Sequence, residues 1–143
     1  MESITSSNPN GASVAYTYDA GAPVDRSSST GWDDLNRLST VVDNNLPGQN
    51  ITTYTYDPAS NVATVETPNG LTSKFTYDPL NRLTALATTA SSTPVASYNY
   101  LLGPTGNRTG ATEQGGRALT WSYDNIYRLT NETIADDPTN NNG

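Results

Sequence analysis

Two kinds of charged residue recur along this sequence: an aspartate that follows an aromatic residue, and an arginine a few positions later. The aspartates are Asp19, Asp33, Asp57, Asp78 and Asp124, and the arginines are Arg26, Arg37, Arg82, Arg108 and Arg128. A row of carboxylates is a candidate for calcium binding or acid–base catalysis, and a row of guanidinium groups for ligand binding. Regular recurrence favours a scaffold instead, because catalysis needs one asymmetric constellation. We therefore predict that each Asp opens a turn and that each Arg pairs with an Asp or stacks on a Tyr.

The composition restricts the chemistry that these side chains can perform. The 143 residues include no histidine and no cysteine, and the formal net charge is −7. Without these residues no hydroxyl has an evident activating base, and neither disulfides nor thiolate chemistry is available. An acidic chain also lacks the basic face that binds nucleic acid or anionic lipid. We therefore predict no enzyme activity, no catalytic residues, no cofactor and no nucleic-acid partner.

Two polar segments carry the oxygen-bearing side chains that calcium prefers as ligands. They are Asp43-Asn44-Asn45 and the run from Asp136 to Gly143. Neither segment has the spacing of the twelve-residue EF-hand loop, and polar loops of this kind usually bind no ion. No metal site is predicted.

The recurring Asp and Arg belong to a phrase that the chain repeats. Its fullest form is Phe75-Thr76-Tyr77-Asp78-Pro79-Leu80-Asn81-Arg82-Leu83-Thr84, and residues 121–130 copy nearly all of it. The aromatic positions of the copies are Tyr16, Tyr18, Trp32, Tyr54, Tyr56, Phe75, Tyr77, Tyr98, Tyr100, Trp121 and Tyr123. From position 32 the shared Tyr or Trp returns at 56, 77, 100 and 123, a spacing of 21 to 24 residues. This period predicts one array of about six like units over residues 1–143.

Each unit is predicted to be a β-hairpin. Residues 73–78 alternate, which places Phe75 and Tyr77 on one face of a half-buried strand. The segment Asp78-Pro79-Leu80-Asn81 has turn chemistry, because Pro presets φ and both Asp and Asn can bond their own backbone. Alternation resumes along Leu83 to Thr88 as the return strand. Since no helical period is present, we expect an all-β fold of about twelve antiparallel strands whose aromatic side chains form a ladder.

Some units depart from this pattern. Loops are predicted at 43–50, 88–94 and 110–116, where Gly, Pro, Asn and Ser are frequent. The first and fifth units have three more residues between the Tyr and the Arg, which we interpret as longer turns. In the third unit Val62 stands where the Arg is expected, and in the fifth Leu101 stands where the Asp is expected. Both units are predicted weak points if each Asp–Arg pair contributes on its own.

The combination of Tyr-Asp, a short turn and Asn/Gly-Arg-Leu-Thr, recurring from about Ser13 to Ile134, resembles the YD or RHS (rearrangement hotspot) repeat. The resemblance implies a curved or spiralling sheet of hairpins that forms a hollow shell. In bacterial Rhs proteins and in the BC component of insecticidal Tc toxins, that shell encloses a toxic C-terminal polypeptide. In teneurins the related shell belongs to an extracellular adhesion protein. Because about twelve strands span only ~60 Å of sheet, we expect either a fragment of a shell or a wall that several chains complete.

Three functions are consistent with this repeat. The first is a structural protein whose copies associate head to tail through exposed sheet edges into an extracellular β filament, tube or shell, because end strands present unpaired backbone groups. The second is a fragment of an Rhs or Tc shell that encapsulates a polypeptide. The third is an adhesin or carbohydrate-binding module, in which Trp32 or Trp121 stacks on a sugar ring.

The expected location is outside the cell or on its surface, in a bacterium. The first seven residues carry no basic stretch and no apolar run, so no signal peptide is predicted. No apolar stretch approaches the length of a membrane span, and membrane insertion is not expected. Besides a second copy of the chain, the candidate partners are an encapsulated polypeptide and a surface glycan.

Overall fold

The computed structural model describes residues 2–4, 14–16, 31–43 and 50–136, and for residues 2–4, 14–16 and 43 it describes the backbone alone. All regular structure in these ranges is β, and none of them contains a helical segment that is long and apolar enough to cross a membrane. The chain divides into two compact units, Met1–Thr72 and Ser73–Gly143.

Eleven strands are present in the described part of the chain, and within each unit neighbouring strands follow chain order. They are β1 (Glu2–Ile4), β2 (Val14–Tyr16), β3 (Thr40–Asp43), β4 (Ile51–Tyr56), β5 (Val62–Glu66), β6 (Leu71–Tyr77), β7 (Leu83–Ala90), β8 (Thr93–Leu102), β9 (Arg108–Glu113), β10 (Ala118–Tyr123) and β11 (Leu129–Ala135). The pairs β1–β2 to β4–β5 in the first unit and β7–β8 to β10–β11 in the second are antiparallel. The predicted all-β fold of antiparallel hairpins is therefore confirmed, and eleven of the about twelve expected strands lie in the described residues.

The first unit forms its strands from β-branched and aromatic residues. β4, with the sequence Ile-Thr-Thr-Tyr-Thr-Tyr, pairs with β3 on one side and with β5 on the other, and places Tyr54 opposite Val65. Such residues pack well on a pleated, half-buried surface. Before β3, Trp32 and Leu38 form an isolated antiparallel bridge that flanks the turn 33–37.

In the second unit the prediction of a loop at 88–94 is wrong. β7 and β8 stay paired as far as Ala90 opposite Thr93, so the connection shrinks to Ser91-Ser92. These two residues have φ of 46° and 74°, and positive φ at both central positions is the mark of a type I′ hairpin turn. The Thr and Val residues around the turn favour strand and outweigh the Ser and Pro that suggested a loop.

The two remaining predicted loops have different outcomes. Of the loop 110–116, the first four residues belong to β9, and the connection to β10 is the five-residue turn 113–117. This loop is therefore shorter than predicted, because Thr112 and Ala111 pair with β10. Of the loop 43–50, residues 44–49 lie outside the described residues.

Strand residues are mostly half-buried. Ala111, with 6% of its surface exposed, is the only buried apolar residue in the described part, and no described side chain is fully buried. β7 is half-buried at every position, which means that neither of its faces is sealed from solvent. The described sheet thus has no thick apolar core on either side.

One glycine allows three strands of the second unit to approach closely. A Cβ on Gly110 in β9 would lie 3.1 Å from the Leu119 carbonyl oxygen in β10 and 3.3 Å from Leu101 Cδ1 in β8. A backbone oxygen moves aside less easily than a flexible side chain, so this position favours a residue without a side chain.

Candidate functional site

The recurring Asp forms a five-residue turn that is best seen at 78–82. The Asp78 N–H donates to the Arg82 carbonyl and the Asn81 N–H donates to the Asp78 carbonyl, both at 2.9 Å. Asp78 Oδ1 accepts from the N–H groups of Leu80 at 2.9 Å and of Arg82 at 3.0 Å. Asn81 has φ 58°, a left-handed conformation in which Asn is enriched. The turn forms because Asp satisfies two backbone donors and Asn tolerates the positive φ.

The same arrangement recurs in three further turns. In each, the Asp Oδ1 accepts the N–H groups two and four positions later at 2.9 to 3.0 Å: Leu35 and Arg37 onto Asp33, Ala59 and Asn61 onto Asp57, and Ile126 and Arg128 onto Asp124. The residues of positive φ are Asn36, Ser60 and Tyr127. These are the contacts expected of an Asp that opens a hairpin turn. Asp19 and Arg26 lie outside the described residues.

The turn contacts keep the carboxylates charged. Partial burial alone would raise the pKa of Asp33 and Asp78, but hydrogen bonds from the backbone and guanidinium of the turn arginine outweigh it and lower the pKa. The backbone N–H of Arg128 is the main reason why the pKa of Asp124 is lowered. The Asn61 side chain is the main reason at Asp57, whose pKa is also lowered. Carboxylates held in this way are poor proton donors at neutral pH.

Two turn arginines connect their own Asp to the next turn along the same edge, and Arg82 is the first. Arg82 Nε donates to Asp78 Oδ2 at 2.6 Å, and its Nη1 donates to the Gly103 carbonyl at 3.1 Å. A guanidinium can make both contacts at once because its donors form a rigid fork. We call such an arginine, bound to its own Asp and to the following turn, a turn brace.

A second turn brace lies in the first unit. Arg37 Nε donates to Asp33 Oδ2 at 2.7 Å, and its Nη1 donates to Ser60 Oγ at 3.0 Å. The Arg37 Cζ also lies 4.3 Å from the centre of the Tyr56 ring, a cation–π contact. Burial and the nearby Asp33 charge raise the pKa of Tyr56, and the Tyr56 hydroxyl donates to the Leu38 carbonyl at 2.8 Å.

The third unit shows a different residue in the arginine position from the one predicted. The residue four positions after Asp57 is Asn61, and its Nδ2 donates to Asp57 Oδ2 at 3.0 Å. Val62 is therefore not the replacement for the Arg, since it already begins β5. The difference arises because the turn has five residues, 57–61, which places Asn61 and not Val62 at its end. The amide of Asn61 preserves the hydrogen bond to the Asp but brings no charge.

The fifth unit also departs from its predicted alignment. β8 continues to Leu102, so the extra residues of this unit lengthen the strand and not the turn. The turn occupies 103–107, where the Gly103 N–H donates to the Asn107 carbonyl at 2.8 Å. Gly103 thus takes the Asp position, which had been assigned to Leu101, and Asn107 takes the Arg position.

Arg108 accordingly lies one residue beyond the turn. Its Cζ is 4.2 Å from the centre of the Tyr100 ring, and its carbonyl accepts a hydrogen bond from Tyr123 Oη at 2.7 Å. The Tyr123 contact repeats the one from Tyr56 to Leu38 in the first unit. In both cases the Tyr that precedes a turn donates to the residue that directly follows the previous turn.

The aromatic residues occupy the strands of the repeat. Tyr16 is in β2, Tyr54 and Tyr56 in β4, Phe75 and Tyr77 in β6, Tyr98 and Tyr100 in β8, Trp121 and Tyr123 in β10, and Trp32 in the isolated bridge, while Tyr18 lies outside the described residues. The rings of Tyr98 and Tyr100 are stacked at 6.4 Å with an interplanar angle of 5°. This contact runs along one strand, whereas the predicted ladder crosses from hairpin to hairpin.

The sequence reasoning missed one charged turn in the second unit. In the turn 113–117 the Glu113 N–H donates to the Arg117 carbonyl at 2.8 Å, and Arg117 Nη1 donates to Glu113 Oε2 at 3.0 Å. Gly116 takes the position of positive φ, at 97°. The available signal was a Gly three residues after an acid and directly before an Arg, which reproduces the spacing of 78–82.

A groove of about 340 Å³ lies in the second unit between the turns 103–107 and 124–128. Trp121, Tyr123 and Tyr127 are among the residues that line it, together with polar side chains of the first of these turns. No group of three or more acidic, His or Cys side chains suitable for a metal occurs within 31–42 or 50–136.

These features define a β-hairpin repeat protein in which the recurring charged residues tie one turn to the next. Residues 56–93 match the family model described as RHS Repeat, which confirms the predicted resemblance over this stretch. No curated protein matches the chain.

Three solved structures of Tc toxin proteins are similar to this chain. The first, TcdB2-TccC3 without its hypervariable C-terminal region, is 22% identical over 71% of the chain with a TM-score of 0.63. The second, a TcdB2-TccC3-Cdc42 structure, is 17% identical over 85% of the chain, with a TM-score of 0.54. The third, a Photorhabdus luminescens Tc holotoxin pore with a mutated TccC3, is 17% identical over 85% of the chain, with a TM-score of 0.55. The chain spans only 6 to 7% of the length of these proteins, and the likeness is one of fold.

Proposed function

We propose that this chain is a structural, non-enzymatic wall segment of a hairpin-repeat shell of the Rhs or Tc type. Its residues 1–143 act as one array of about six units, and further hairpins complete the wall around an enclosed polypeptide outside the bacterial cell. The observation that carries this proposal is the turn brace, because its contacts reach from one hairpin to the following one.

The charged residues of the turn braces contact groups within the array, and these contacts join neighbouring hairpins of the sheet. Arg82 is bound to Asp78 and to Gly103, so its charge and its reach are both used inside the array. The turn carboxylates accept two backbone donors each, which commits them to the turns. Repeated residues that serve contacts between neighbours are the signature of a stacked repeat, whose stability grows as neighbours are added.

The shallow burial of the strands points the same way. A sheet with one buried apolar residue in its described part gains little from a core of its own. Its stability must come from strand pairing and from contacts along the array, both of which increase when more hairpins join the sheet. The structural likeness to Tc toxin proteins supports a wall that continues on either side of this segment.

Tandem copies of the chain test this function. We expect two and three copies joined head to tail to unfold at higher temperature and with a sharper transition than one copy, because each junction adds a neighbour contact. The matched control is the same tandem series with Arg128→Ala in every copy, because Arg128 ends the last Asp turn before each junction, and in this series the rise should shrink. A melting temperature that is independent of copy number would contradict the wall-segment function.

Self-association of separate copies is a second candidate function. β11 ends the described strand order, and six of its seven residues are exposed. An exposed edge strand offers backbone groups to another strand, and a head-to-tail contact of this kind propagates. Electron microscopy and sedimentation at several concentrations should show filaments or tubes that grow with concentration. Uniform monomers at every concentration would exclude self-association of separate copies. The wall-segment function would then remain.

A further inference from the structure

Three peptide bonds of this chain join an arginine to a leucine at the end of an Asp turn. They are Arg37–Leu38, Arg82–Leu83 and Arg128–Leu129, and Ser or Thr follows the leucine in each. The three bonds are alike in the residues that they join, so a difference in how easily they are cleaved in the folded chain must come mainly from the structure around them. Arg37 and Arg82 are turn braces.

Arg128 is held less firmly than the other two arginines. Its Nε donates to Asp124 Oδ2 at 2.7 Å, but 75% of its side chain is exposed, compared with 23% for Arg37 and 31% for Arg82. An ion pair that is this exposed is screened by water and contributes little to stability. The Arg128 guanidinium can therefore leave Asp124 and enter a pocket on another protein with little loss.

Arg128 also lies within the longest exposed stretch of the described residues. All nine residues from 125 to 133 are exposed, and the next longest run, 91–95, has five. The leucine after Arg128 begins β11, in which six of seven residues are exposed, whereas Leu83 begins β7, which is half-buried throughout. A protease binds its substrate as an extended strand, and exposed stretches of chain are the preferred sites of cleavage.

The turn before this bond is strained. Tyr127, directly before Arg128, has φ 61°, whereas Asn36 and Asn81 occupy this position in the two braced turns. Asn tolerates a positive φ, but a bulky aromatic residue adopts it only with strain. Opening of the turn into an extended chain relieves this strain. The turn at Arg128 should therefore open more often than the braced turns.

We propose that the Arg128–Leu129 bond is a processing site for a serine protease whose primary specificity pocket carries a carboxylate. This carboxylate replaces Asp124 as the partner of the guanidinium. The protease serine attacks the Arg128 carbonyl carbon, the bond to the Leu129 nitrogen breaks, and this nitrogen leaves as an amine with a proton from the protease. Water then releases the new Arg128 carboxylate and restores the serine.

The site is open at a free sheet edge and closed within a longer sheet. When a further hairpin pairs with β11, as the wall-segment function requires, strands on both sides hold β11 out of a protease cleft. Cleavage then selects the ends at which the sheet is not continued. This protection rests on the wall-segment function, whereas the processing site itself does not.

The test is limited digestion of the full chain with trypsin, which has such a pocket, followed by identification of the early fragments by mass. Arg26→Gln removes the one trypsin site outside the described residues. We expect the first cut after Arg128, at a rate about tenfold or more above the rates after Arg37 and Arg82, because cleavage of a folded chain follows how often each segment opens. Synthetic peptides of the three Arg–Leu sequences, which lack the fold, should be cut at similar rates.

Two substitutions at Arg128 separate recognition from folding. Arg128→Gln should abolish the early cut, and Arg128→Lys, which trypsin also accepts, should retain it. Tyr127→Asn relieves the strained φ and should slow the cut by about threefold or more while the melting temperature stays the same or rises. The matched control is Asn36→Gly, which changes the same turn position in the first unit and should leave the rate at Arg128 unchanged.

Two results would overturn the processing site. One is an early cut at another site in the described residues that precedes the cut after Arg128. The other is an equal rate at all three Arg–Leu bonds of the folded chain, which would assign cleavage to global unfolding. Two joined copies test the protection separately. If the inner Arg128 is cut as fast as the outer one, the wall-segment function fails at this junction and the processing site stands.

Discussion

Arg82 and Gly103 belong to different turns and are joined by a hydrogen bond of 3.1 Å from the guanidinium Nη1 to the carbonyl oxygen. The same guanidinium holds Asp78 within its own turn. The spacing between these turns is thus fixed by a side chain as well as by the strands between them. Arg37 makes the equivalent connection in the first unit, where its partner is Ser60.

Arg82→Ala should lower the free energy of unfolding, since the hydrogen bond to the Gly103 carbonyl contributes about 1 kcal/mol by itself. Arg82→Lys should recover only part of the loss, because an ammonium on a flexible stem lacks the rigid fork that binds two partners at once. Urea unfolding followed by circular dichroism measures both. Equal stability of the Lys variant and the unmodified chain would show that charge, and not the fork, is what matters.

Asn81→Gly should leave stability nearly unchanged, whereas Asn81→Val should cost roughly 1–2 kcal/mol. Asn81 has φ 58°, which glycine adopts freely and a β-branched residue adopts only with strain. Thermal unfolding of the two variants tests this expectation. The neighbouring Leu80→Val is the control, because Leu80 is 70% exposed in the same turn and its replacement should have little effect.

Gly110→Ala should destabilise the second unit by about 1–3 kcal/mol, because the added methyl meets a backbone oxygen at 3.1 Å and overpacking costs this much. Denaturant unfolding gives the change. The control is Gly70→Asn, since a Cβ at Gly70 meets nothing within 4 Å and its φ of 80° is one that Asn accepts. If the two variants lost equal stability, close strand approach at Gly110 would not be the cause.

Stability should be flat from neutral pH to about pH 5 and should fall below about pH 4. The turn aspartates have a lowered pKa in the folded chain, so their contribution is complete above the unfolded pKa of about 3.9 and is lost as the pH falls through the folded pKa. Melting temperature measured across this range tests the expectation.

A variant with all four turn aspartates replaced serves as the control for the acid effect. Asp33→Asn, Asp57→Asn, Asp78→Asn and Asp124→Asn together keep an oxygen acceptor in each turn and remove the titrating group. This variant should be less stable at neutral pH and should show almost no further loss on acidification. If the melting temperature of this variant fell with acidification as much as that of the unmodified chain, carboxylates other than the turn aspartates would be the cause of the acid effect.

The hairpins and their turns were predictable because local chemistry determines them. Alternation along residues 73–78 and the Asp and Asn of the following turn are visible in the sequence, and the strands and turn form there. The loop 88–94 was predicted wrongly because propensities of Ser and Pro were weighed one by one. Pairing of β7 with β8 overrides them and leaves only Ser91-Ser92 outside the strands.

The partners of the arginines could not be derived from spacing alone. The contact from Arg82 to Gly103 joins residues that are adjacent only after two strands have paired between them. The same holds for the groove, since Trp121 and Asn107 meet through the pairing of β9 with β10. Sequence reasoning named Trp121 as a sugar-stacking candidate, but the replacement of the Asp by Gly103 became visible only when the turn length was fixed.

Each turn brace reaches no further than the adjacent turn of its edge, and this locality has a genetic consequence. Unequal recombination between two copies of the repeat removes or duplicates one complete period, and the brace at the new junction then faces another turn of the same repeat. A gene can therefore gain or lose one repeat in a single event, and the shorter or longer protein still folds. Lineages that use this sheet can adjust its extent in increments of one period.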